Sequence, residues 1–295
     1  MFRRFQLARL VDKVPDGDDW LFEMKFDGYR CEAELFGSKV TLYSRGGHDW
    51  TGIFSHLVPA FQKLTKGSAS IDGEVVAIDD EGRASFNLLQ NSLKRKAPIV
   101  FYAFDLLEQD GEDLRGLPLI ERKDRLEALL GERRPTDPIQ FSSHIIGHGQ
   151  EVFERMCASG HEGVIAKRLN ARYQSGDRSP TWLKVKCTKR QEFLVVGWRT
   201  NEEGEDLRAF HLAEEIEGKL VYRGRVGSGI TDRERPGFLG AVELIEVDEP
   251  VLAVPREERK LGRWVEPRLV ADVAFTEVTE EGTLRHPSFK GIRVR

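Results

Sequence analysis

Short apolar runs that end at turn-forming residue pairs constrain the fold of this sequence more than any other feature. Between residues 20 and 44 the runs WLFEMK, YRCEAELF and KVTLYS are broken at Asp27-Gly28 and Gly37-Ser38. Such pairs favour tight connections between neighbouring strands. The pattern therefore predicts an antiparallel meander of three strands, with Lys25 near the end of the first strand.

The next part of the chain mixes strand and helix patterns. Strands are predicted at residues 70–78, 99–107, 163–167 and 182–186, whereas residues 119–130 and 150–158 carry helical periodicity. Strands and helices do not follow a regular β-α-β rhythm, so the fold class is α+β.

After residue 190 the chain becomes a series of short β-type runs separated by Gly, Glu and Pro turns. This texture predicts a small β-barrel. A length of 295 residues also fits two domains. We therefore expect one domain at residues 1–189 and a second at 190–295.

Composition narrows the possible environments. A net charge of -4 with 32% charged residues describes a soluble protein, in which a nucleic-acid site must be a local basic patch. Cys31, Cys157 and Cys187 form no C-x-x-C pair, which predicts neither a disulfide framework nor a cysteine-rich zinc site. We find no signal peptide and no apolar run long enough to span a membrane. A reducing, cytoplasmic location is expected.

One segment concentrates residues suited to covalent chemistry on a nucleotide. Glu23-Met-Lys-Phe-Asp-Gly-Tyr-Arg30 combines a lysine, a carboxylate, a glycine and an arginine, although alone it also fits a strand with a turn and solvated charges. Five further motifs follow it in order: Ser44-Arg45-Gly46, Asp72-Gly73-Glu74-Val75-Val76, Phe101-Tyr102-Ala103-Phe104-Asp105-Leu106, Glu162-Gly163-Val164-Ile165-Ala166-Lys167 and Trp182-Leu183-Lys184-Val185-Lys186.

These motifs, in this order, resemble the nucleotidyltransferase motifs of ATP-dependent DNA ligases and mRNA capping enzymes. The C-terminal run that ends in GTLRHPSFKGIR brings the sequence closest to the ligase domains of bacterial ligase D, and the similarity covers nearly the whole chain. The resemblance implies a nucleotidyltransferase (ATP-grasp-like adenylation) domain of antiparallel sheets with helices, followed by an OB-fold β-barrel.

The reaction that the resemblance implies begins with attack of the Lys25 amine on the α-phosphate of ATP. The AMP then passes to the 5′-phosphate of a nick, and the neighbouring 3′-hydroxyl displaces it. A nucleophilic lysine must lose its proton, which nearby positive charge favours. The implied catalytic residues are Lys25, Asp27, Lys184 and Lys186.

The resemblance also assigns the nucleotide contacts. Glu23 would accept a hydrogen bond from the adenine amine, Phe104 would stack on the base, and Glu74 would contact the ribose. Arg30 would touch ribose or phosphate, Arg45 the 5′-phosphate of the nick, and Lys184 with Lys186 the α-phosphate. Phe104 and Tyr102 are expected on one strand face. In isolation these positions equally fit a core aromatic, an edge ion pair or a solvated strand face.

Phosphoryl transfer favours a divalent cation held by carboxylates, here Mg²⁺ or Mn²⁺. Glu162 and Glu74 are the expected ligands, while Asp72 and Asp27 are expected to assist the metal or the joining step. Local basic clusters can bind DNA phosphates, though each also fits solvated surface. The candidates for DNA binding are Arg45, Lys94, Arg95, Lys189, Arg190, Lys290 and Arg293.

The chain departs from the family at its end. Family members carry a final R-x-D-K motif that orients pyrophosphate, whereas this chain ends in Arg293-Val294-Arg295. Self-adenylylation is the step that this departure brings into question, and three explanations stay open: the sequence is truncated, Lys290 and Arg295 partly substitute for the motif, or the protein works best when already adenylylated. The favoured function is DNA ligation in the repair of double-strand breaks by a monomer, with Ku and a repair polymerase as candidate partners. The alternatives are an RNA ligase or a GTP-dependent capping enzyme, and a catalytically weakened scaffold that binds nicks.

Overall fold

The protein was analysed as a computed structural model that describes residues 2–79, 86–91, 98–200, 206–279 and 281–295. Its contacts divide the chain into two units, Met1–Cys187 and Thr188–Arg295. The predicted domain boundary at residue 189 lies two residues beyond this division.

The first unit contains strands and helices in irregular order. Its strands are β1 (Arg9–Leu10), β2 (Trp20–Met24), β3 (Tyr29–Phe36), β4 (Lys39–Ser44), β5 (Ser68–Ala77), β6 (Ile99–Gln109), β7 (Glu112–Asp113), β8 (Ile139–Phe141), β9 (His144–Ile146), β10 (Gly163–Arg168) and β11 (Trp182–Lys186). Its helices are α1 (Val58–Phe61), α2 (Phe86–Asn91), α3 (Leu119–Leu130) and α4 (Gly149–Ala158), with a 3-10 turn at Ser55–Leu57. The strands and helices predicted between residues 70 and 186 are confirmed.

Two sheets organise this unit. One has the order β1-β11-β10-β2-β9, and the other has the order β4-β3-β5-β6-β7, with β8 paired to β6. The predicted three-stranded meander is therefore wrong, because β2 pairs with β10 and β9 while β3 pairs with β4 and β5. Alternating apolar residues fix the face of a strand, but they do not specify which strand lies beside it.

The segment between β2 and β3 crosses from one sheet to the other at Gly28, where the structure has no room for a side chain. A Cβ at Gly28 would lie 2.3 Å from the carbonyl oxygen of Val75 on β5. Substitution by any larger residue would push β3 away from β5. This close approach keeps Lys25, which immediately follows β2, beside the second sheet.

Helix α3 packs its buried face on β6, and that face includes two charged residues. Leu119, Leu126 and Leu130 are buried at helical spacing, and Arg122 and Lys123 are buried with them. Arg122 donates two hydrogen bonds to the carboxylate of Asp105, at 2.7 and 2.8 Å. A buried ion pair of this kind is tolerated because both partners are satisfied.

The second unit forms one six-stranded antiparallel sheet around its own core. Its strands are β12 (Lys189–Thr200), β13 (Leu207–Ile216), β14 (Lys219–Val226), β15 (Glu246–Val247), β16 (Arg263–Phe275) and β17 (Ser288–Val294). Its helices are α5 (Arg235–Glu243) and α6 (Arg256–Leu261). The 13-residue strand β16 pairs with β12, β15 and β17 along different parts of its length. The predicted α+β class with a C-terminal OB-type barrel is confirmed.

The cysteine prediction is wrong. Cys157 at the end of α4 and Cys187 after β11 form a disulfide, with their Cα atoms 5.4 Å apart. Thirty residues separate them in sequence, and only the fold brings the ends of the two elements together. Cys31 is buried and free.

No helix in the described ranges is long and apolar enough to cross a membrane.

Candidate active site

A cavity of about 240 Å³ in the first unit gathers most of the site residues that the sequence predicted. Its walls come from β2, β3, β5, β6, β10, β11 and the segments beside them. The predicted residues that line it are Glu23, Lys25, Arg30, Arg45, Glu74, Phe104 and Lys184.

Lys25 is held by β10 and by an acidic neighbour. Its backbone N–H donates to the carbonyl oxygen of Gly163 at 2.9 Å, and its ammonium contacts Glu162 Oε2. Lys186 Nζ lies 3.2 Å from the other oxygen, Glu162 Oε1. Glu162 therefore holds the predicted nucleophile and a second predicted catalytic lysine at one carboxylate.

The backbone around Glu162 requires a glycine. Gly163 has a φ of 148°, and a Cβ there would lie 2.1 Å from the carbonyl oxygen of Val185 on β11. Cys187 also donates its N–H to the carbonyl oxygen of Glu162, at 2.9 Å. The position of Glu162 beside Lys25 thus follows from the close pairing of β10 and β11.

Glu74 is a half-buried carboxyl that faces the same group of charges. Burial raises its pKa to about 8, against the attraction of Arg30 and Lys25, and the nearby carboxylates of Asp72 and Glu162 add to the rise. A cation in the cavity would stabilise the ionised form. Carboxylates of this kind suit a hard divalent ion, and Glu74 fits such a group, whereas Glu162 would join it only by exchanging the contacts of its two oxygens with Lys25 and Lys186.

Arg30 is fixed by Asp72. The guanidinium donates to both oxygens of Asp72 at 3.0 and 2.7 Å, and Tyr173 donates its hydroxyl to Asp72 Oδ2 at 2.7 Å. The Arg30 Cζ atom lies 4.7 Å from the centroid of the Phe5 ring and 5.3 Å from that of Phe104. Because Asp72 is fully buried and both its oxygens are occupied, this arrangement favours a role in positioning Arg30 over a role in metal binding.

The Glu23 side chain is more deeply buried than its predicted contact with the adenine amine implies. Its carboxylate contacts Lys123 and lies 2.5 Å from Lys167 Nζ, and the side chain is 2% exposed. The two lysines lower the Glu23 pKa against the opposing effect of burial. Lys167 Nζ also lies 4.3 Å from the centroid of the Phe104 ring, and both Lys167 and Phe104 line the cavity. The residue that presents polar hydrogens beside the aromatic ring is thus Lys167.

Three other predicted residues lie at or beside the cavity. Lys184 lines it, and partial burial together with the charge of Lys25 lowers the pKa of its amine. Arg45 is exposed and also reaches the lining. Asp27 follows Lys25 by two residues, in the segment that crosses to the second sheet.

The predicted DNA-binding residues are dispersed. Arg190 donates to Asp272, and Arg293 donates to Glu192, both on the exposed surface of the second unit. Lys189 and Lys290 are exposed at the start of β12 and on β17. Lys94 and Arg95 lie outside the described residues.

Sequence reasoning missed Lys123, Lys167 and Tyr173. Lys167 ends the motif Glu162-Gly163-Val164-Ile165-Ala166-Lys167, so alternation along β10 was a usable signal, since Lys167 and Ile165 share a face. Lys123 and Tyr173 carried no signal, because a lysine in a helix and a tyrosine in a loop are ordinarily exposed. Among the described residues, no group of three or more His, Cys, Asp or Glu side chains is arranged to hold a metal ion.

Comparison with known proteins agrees with this site. Residues 5–186 match the family described as ATP dependent DNA ligase domain, and residues 203–295 match the ATP dependent DNA ligase C terminal region. The multifunctional non-homologous end joining protein LigD of Pseudomonas aeruginosa is 38% identical over 98% of this chain. The chain spans about 35% of the length of that relative.

Solved structures give the same result. The ligase domain of LigD from M. tuberculosis has a TM-score of 0.58 and 33% identity, covering 97% of this chain and 95% of that one. A mycobacterial DNA ligase D complexed with ATP and MES has the same identity, coverage and TM-score. The predicted resemblance to ligase D is thereby confirmed, and the chain belongs to the ATP-dependent DNA ligase family.

Proposed function

We propose that this chain seals nicks in duplex DNA through an AMP covalently bound to Lys25, using ATP. The observation that carries the proposal is one cavity in which a lysine amine, an aromatic ring and further cations meet, namely Lys25, Phe104, Arg30 and Lys184. A related mycobacterial ligase D structure contains ATP, which supports the same nucleotide here.

In the first step Lys25 must become neutral. Glu162, whose carboxylate contacts the Lys25 ammonium, positions the side chain while the ammonium proton passes to solvent. The Lys25 nitrogen then forms a bond to the α-phosphorus, the bond to the bridging oxygen breaks, and pyrophosphate leaves with that electron pair. Lys184 and Lys186 place positive charge beside the reacting phosphate, which stabilises the charge of the transition state.

In this proposal Lys167 recognises the base of the bound nucleotide. An ammonium has three N–H donors, so its ion pair with Glu23 leaves donors for a base that stacks on Phe104. Adenine offers an acceptor at ring nitrogen N1 to such a donor. Glu23 would then act on the base indirectly, by holding Lys167, rather than by accepting from the adenine amine.

Arg30 would contact ribose or phosphate from a fixed position, because Asp72 and the neighbouring rings restrain its guanidinium. Restraint before binding reduces the entropy lost when the contact forms. Glu74 and Glu162 would hold Mg²⁺ or Mn²⁺, which when bound neutralises phosphate charge. Asp27 is a candidate assistant to this group.

In the later steps an oxygen of the DNA 5′-phosphate displaces the Lys25 amine from AMP, and the 3′-hydroxyl then displaces AMP. Arg45 is proposed to hold the 5′-phosphate, since arginine can bind phosphate in bidentate fashion. Lys189 and Lys290 are proposed phosphate contacts of the second unit. Arg190 and Arg293 would have to exchange Asp272 and Glu192 for phosphate oxygens.

We further propose a role in end joining, because several relatives are named for it. Ku and a repair polymerase are the proposed partners. A cytoplasmic, monomeric protein is the proposed state. Analytical ultracentrifugation and co-purification with purified Ku would test these points separately from the chemistry.

The direct test incubates the protein with α-labelled ATP or GTP and Mg²⁺, then adds a nicked duplex with or without a 5′-adenylate. Wild type should take label from ATP and seal the nick, and Lys25→Ala should do neither with ATP. Lys39→Ala, at an exposed lysine on β4, is the matched control and should behave as wild type.

The remaining outcomes separate the alternatives. Label from GTP alone would indicate a capping enzyme, and sealing of nicked RNA alone would indicate an RNA ligase. Nick binding without label, and without sealing of the pre-adenylylated nick, would leave a scaffold. Each of these results would contradict the proposed function.

A further inference from the structure

A second cavity in the first unit, of about 220 Å³, shares only Met24 and Phe26 with the cavity that contains Lys25, which is called the nucleotide cavity below. Its walls are formed largely by aromatic and methionine side chains from β2, β6, β8, α4 and the segments beside them. The lining residues that matter here are Met24, Phe26, Tyr102, Phe141 and Met156. None of the motif functions described above uses this space.

The aromatic walls favour a flat ligand. The Phe26 and Tyr102 rings are stacked with centroids 4.2 Å apart and an interplanar angle of 22°. Phe141 lines the same cavity. Aromatic faces and thioether sulfurs contact planar rings favourably.

Two buried polar atoms lack hydrogen-bond partners among the described residues, Ser142 Oγ and His144 Nδ1, and both residues line this cavity. The backbone groups of Ser142 are already used, since its N–H donates to Ala103 and its carbonyl accepts from Lys123. A buried polar group without a partner is unfavourable, because it has lost its hydrogen bonds to water. A ligand with matching polar atoms would relieve that cost.

The charge of the lining narrows the ligand class. The described residues that line this cavity include no Lys, Arg, Asp or Glu. The nearby Lys123 lies behind Phe141 and Ser142, where Glu23 pairs with it. The nucleotide cavity, by contrast, is lined by Lys25, Arg30 and Lys184. Burial lowers the pKa of His144, so its ring is neutral near pH 7. Nothing in this lining would neutralise a phosphate. The volume is also below the range of about 300–1,000 Å³ that is usual for larger ligands.

We propose that this cavity binds an uncharged, planar, bicyclic heteroaromatic ring, of the size of indole or a purine base. The ring packs against Phe26, Tyr102 and Phe141, and the side chains of Ser142 and His144, whose Oγ and Nδ1 atoms are buried in this structure, turn toward it to form hydrogen bonds. Met24 and Phe26 flank Lys25 and line both cavities. Occupancy therefore changes the rate at which Lys25 reacts, and this coupling, unlike the binding, rests on the proposed function.

The test uses indole and quinoline as probes, with the planar anion 1-naphthoate as a control. Binding is measured by saturation-transfer NMR and calorimetry on the Ile165→Trp variant, which fills the nucleotide cavity that Ile165 lines. Wild type saturated with ATP serves as a second background that does not depend on that variant folding. Indole offers a donor and quinoline an acceptor, so the tighter probe identifies which polar hydrogen is available.

Adding Met156→Trp, which fills the second cavity from α4, should weaken binding of the tighter probe at least about tenfold. Ser142→Ala, a smaller change that keeps the packing, should weaken it about fivefold, as expected for one hydrogen bond. 1-Naphthoate should not bind. Failure of both neutral probes, or binding that Met156→Trp and Ser142→Ala leave unchanged, would overturn the proposal.

The coupling has its own readout. A bound probe should change the rate of Lys25 labelling by ATP in wild type, and Met156→Trp should abolish the effect of the probe. Binding without any change in rate would refute the coupling while leaving the site. Absence of labelling without a probe would instead contradict the proposed function.

Discussion

The two units differ in where their ion pairs lie, buried in the first unit and exposed in the second. The first unit buries ion pairs, Arg122 with Asp105 and Glu23 with Lys123 and Lys167, and Glu23 and Lys167 line its cavity. The second unit forms ion pairs such as Arg190 with Asp272 on its exposed surface, while its buried His211 is neutral. Buried charges cost desolvation and gain little net stability. Their position beside the cavity indicates that they orient reactive groups.

The largest expected contrast is between an internal and a surface carboxylate. Glu23→Ala should lower the free energy of unfolding by about 3–5 kcal/mol, because two lysines would remain buried without a counter-ion. Glu192→Ala, which removes the exposed partner of Arg293, should leave the urea midpoint unchanged. Equal effects of the two variants would contradict the contrast.

The disulfide should act on the first unit alone. All three cysteines lie before residue 188, and the bridge closes a loop with a separation of 30 residues. Reduction, or Cys157→Ser with Cys187→Ser, should destabilise that unit by about 3.6 kcal/mol on loop entropy. Amide hydrogen exchange should accelerate within residues 2–187 and stay unchanged in β12–β17. Faster exchange in both units would refute this separation.

The second unit should respond to acid through His211. Burial, followed by the charges of Arg225 and Arg199, lowers the pKa of this histidine to about 3. Below its ordinary pKa near 6.5 the unfolded chain binds a proton that the folded unit does not. Unfolding free energy should therefore fall as pH decreases from about 6.5 toward 3, by about 2 kcal/mol at pH 5.

His211→Phe should remove this contribution to the dependence of the unfolding free energy on pH, as measured by denaturation of the protein between pH 7 and pH 5. In this variant Tyr222, whose hydroxyl lies 2.7 Å from His211 Nδ1, loses one hydrogen bond at every pH. The quantity to compare is therefore the change in unfolding free energy with pH, not its absolute value. An unchanged slope would show that His211 is not the group responsible.

The smallest expected effect tests how Arg30 is positioned. Tyr173→Phe removes the hydrogen bond to Asp72 and the one that the hydroxyl accepts from the Gln6 N–H, which should slow nick sealing about tenfold, equivalent to about 1.4 kcal/mol. Tyr43→Phe, at a tyrosine that does not line the cavity, is the control. Sealing at the wild-type rate in Tyr173→Phe would show that Arg30 needs only Asp72 and the surrounding rings.

Local pattern predicted the elements of the first unit well, but not their neighbours. Alternation along β10 and β11 specified which residues share a face, and Lys184 accordingly reaches the cavity. It could not specify that β2 pairs with β10 instead of β3, because pairing depends on contacts between residues that are distant in sequence. The same reason explains why the disulfide was missed.

Site residues were predictable where a motif fixes both residue type and backbone position. Lys25, Glu74 and Phe104 belong to such motifs, and all three line the cavity. The depth of Glu23 was not predictable, because its partner Lys123 comes from a helix one hundred residues away. A buried network needs groups from several elements, so no single segment of sequence contains its signal.

The central claim is that Lys25 is the residue that accepts AMP. The most direct measurement is peptide mapping by mass spectrometry after incubation with ATP and Mg²⁺. Release of the bound AMP at acid pH follows. The account predicts AMP on Lys25, lost in Lys25→Arg and retained in Lys39→Ala. Adenylate on Lys184, Lys186 or any other residue, with Lys25 unmodified, would contradict it.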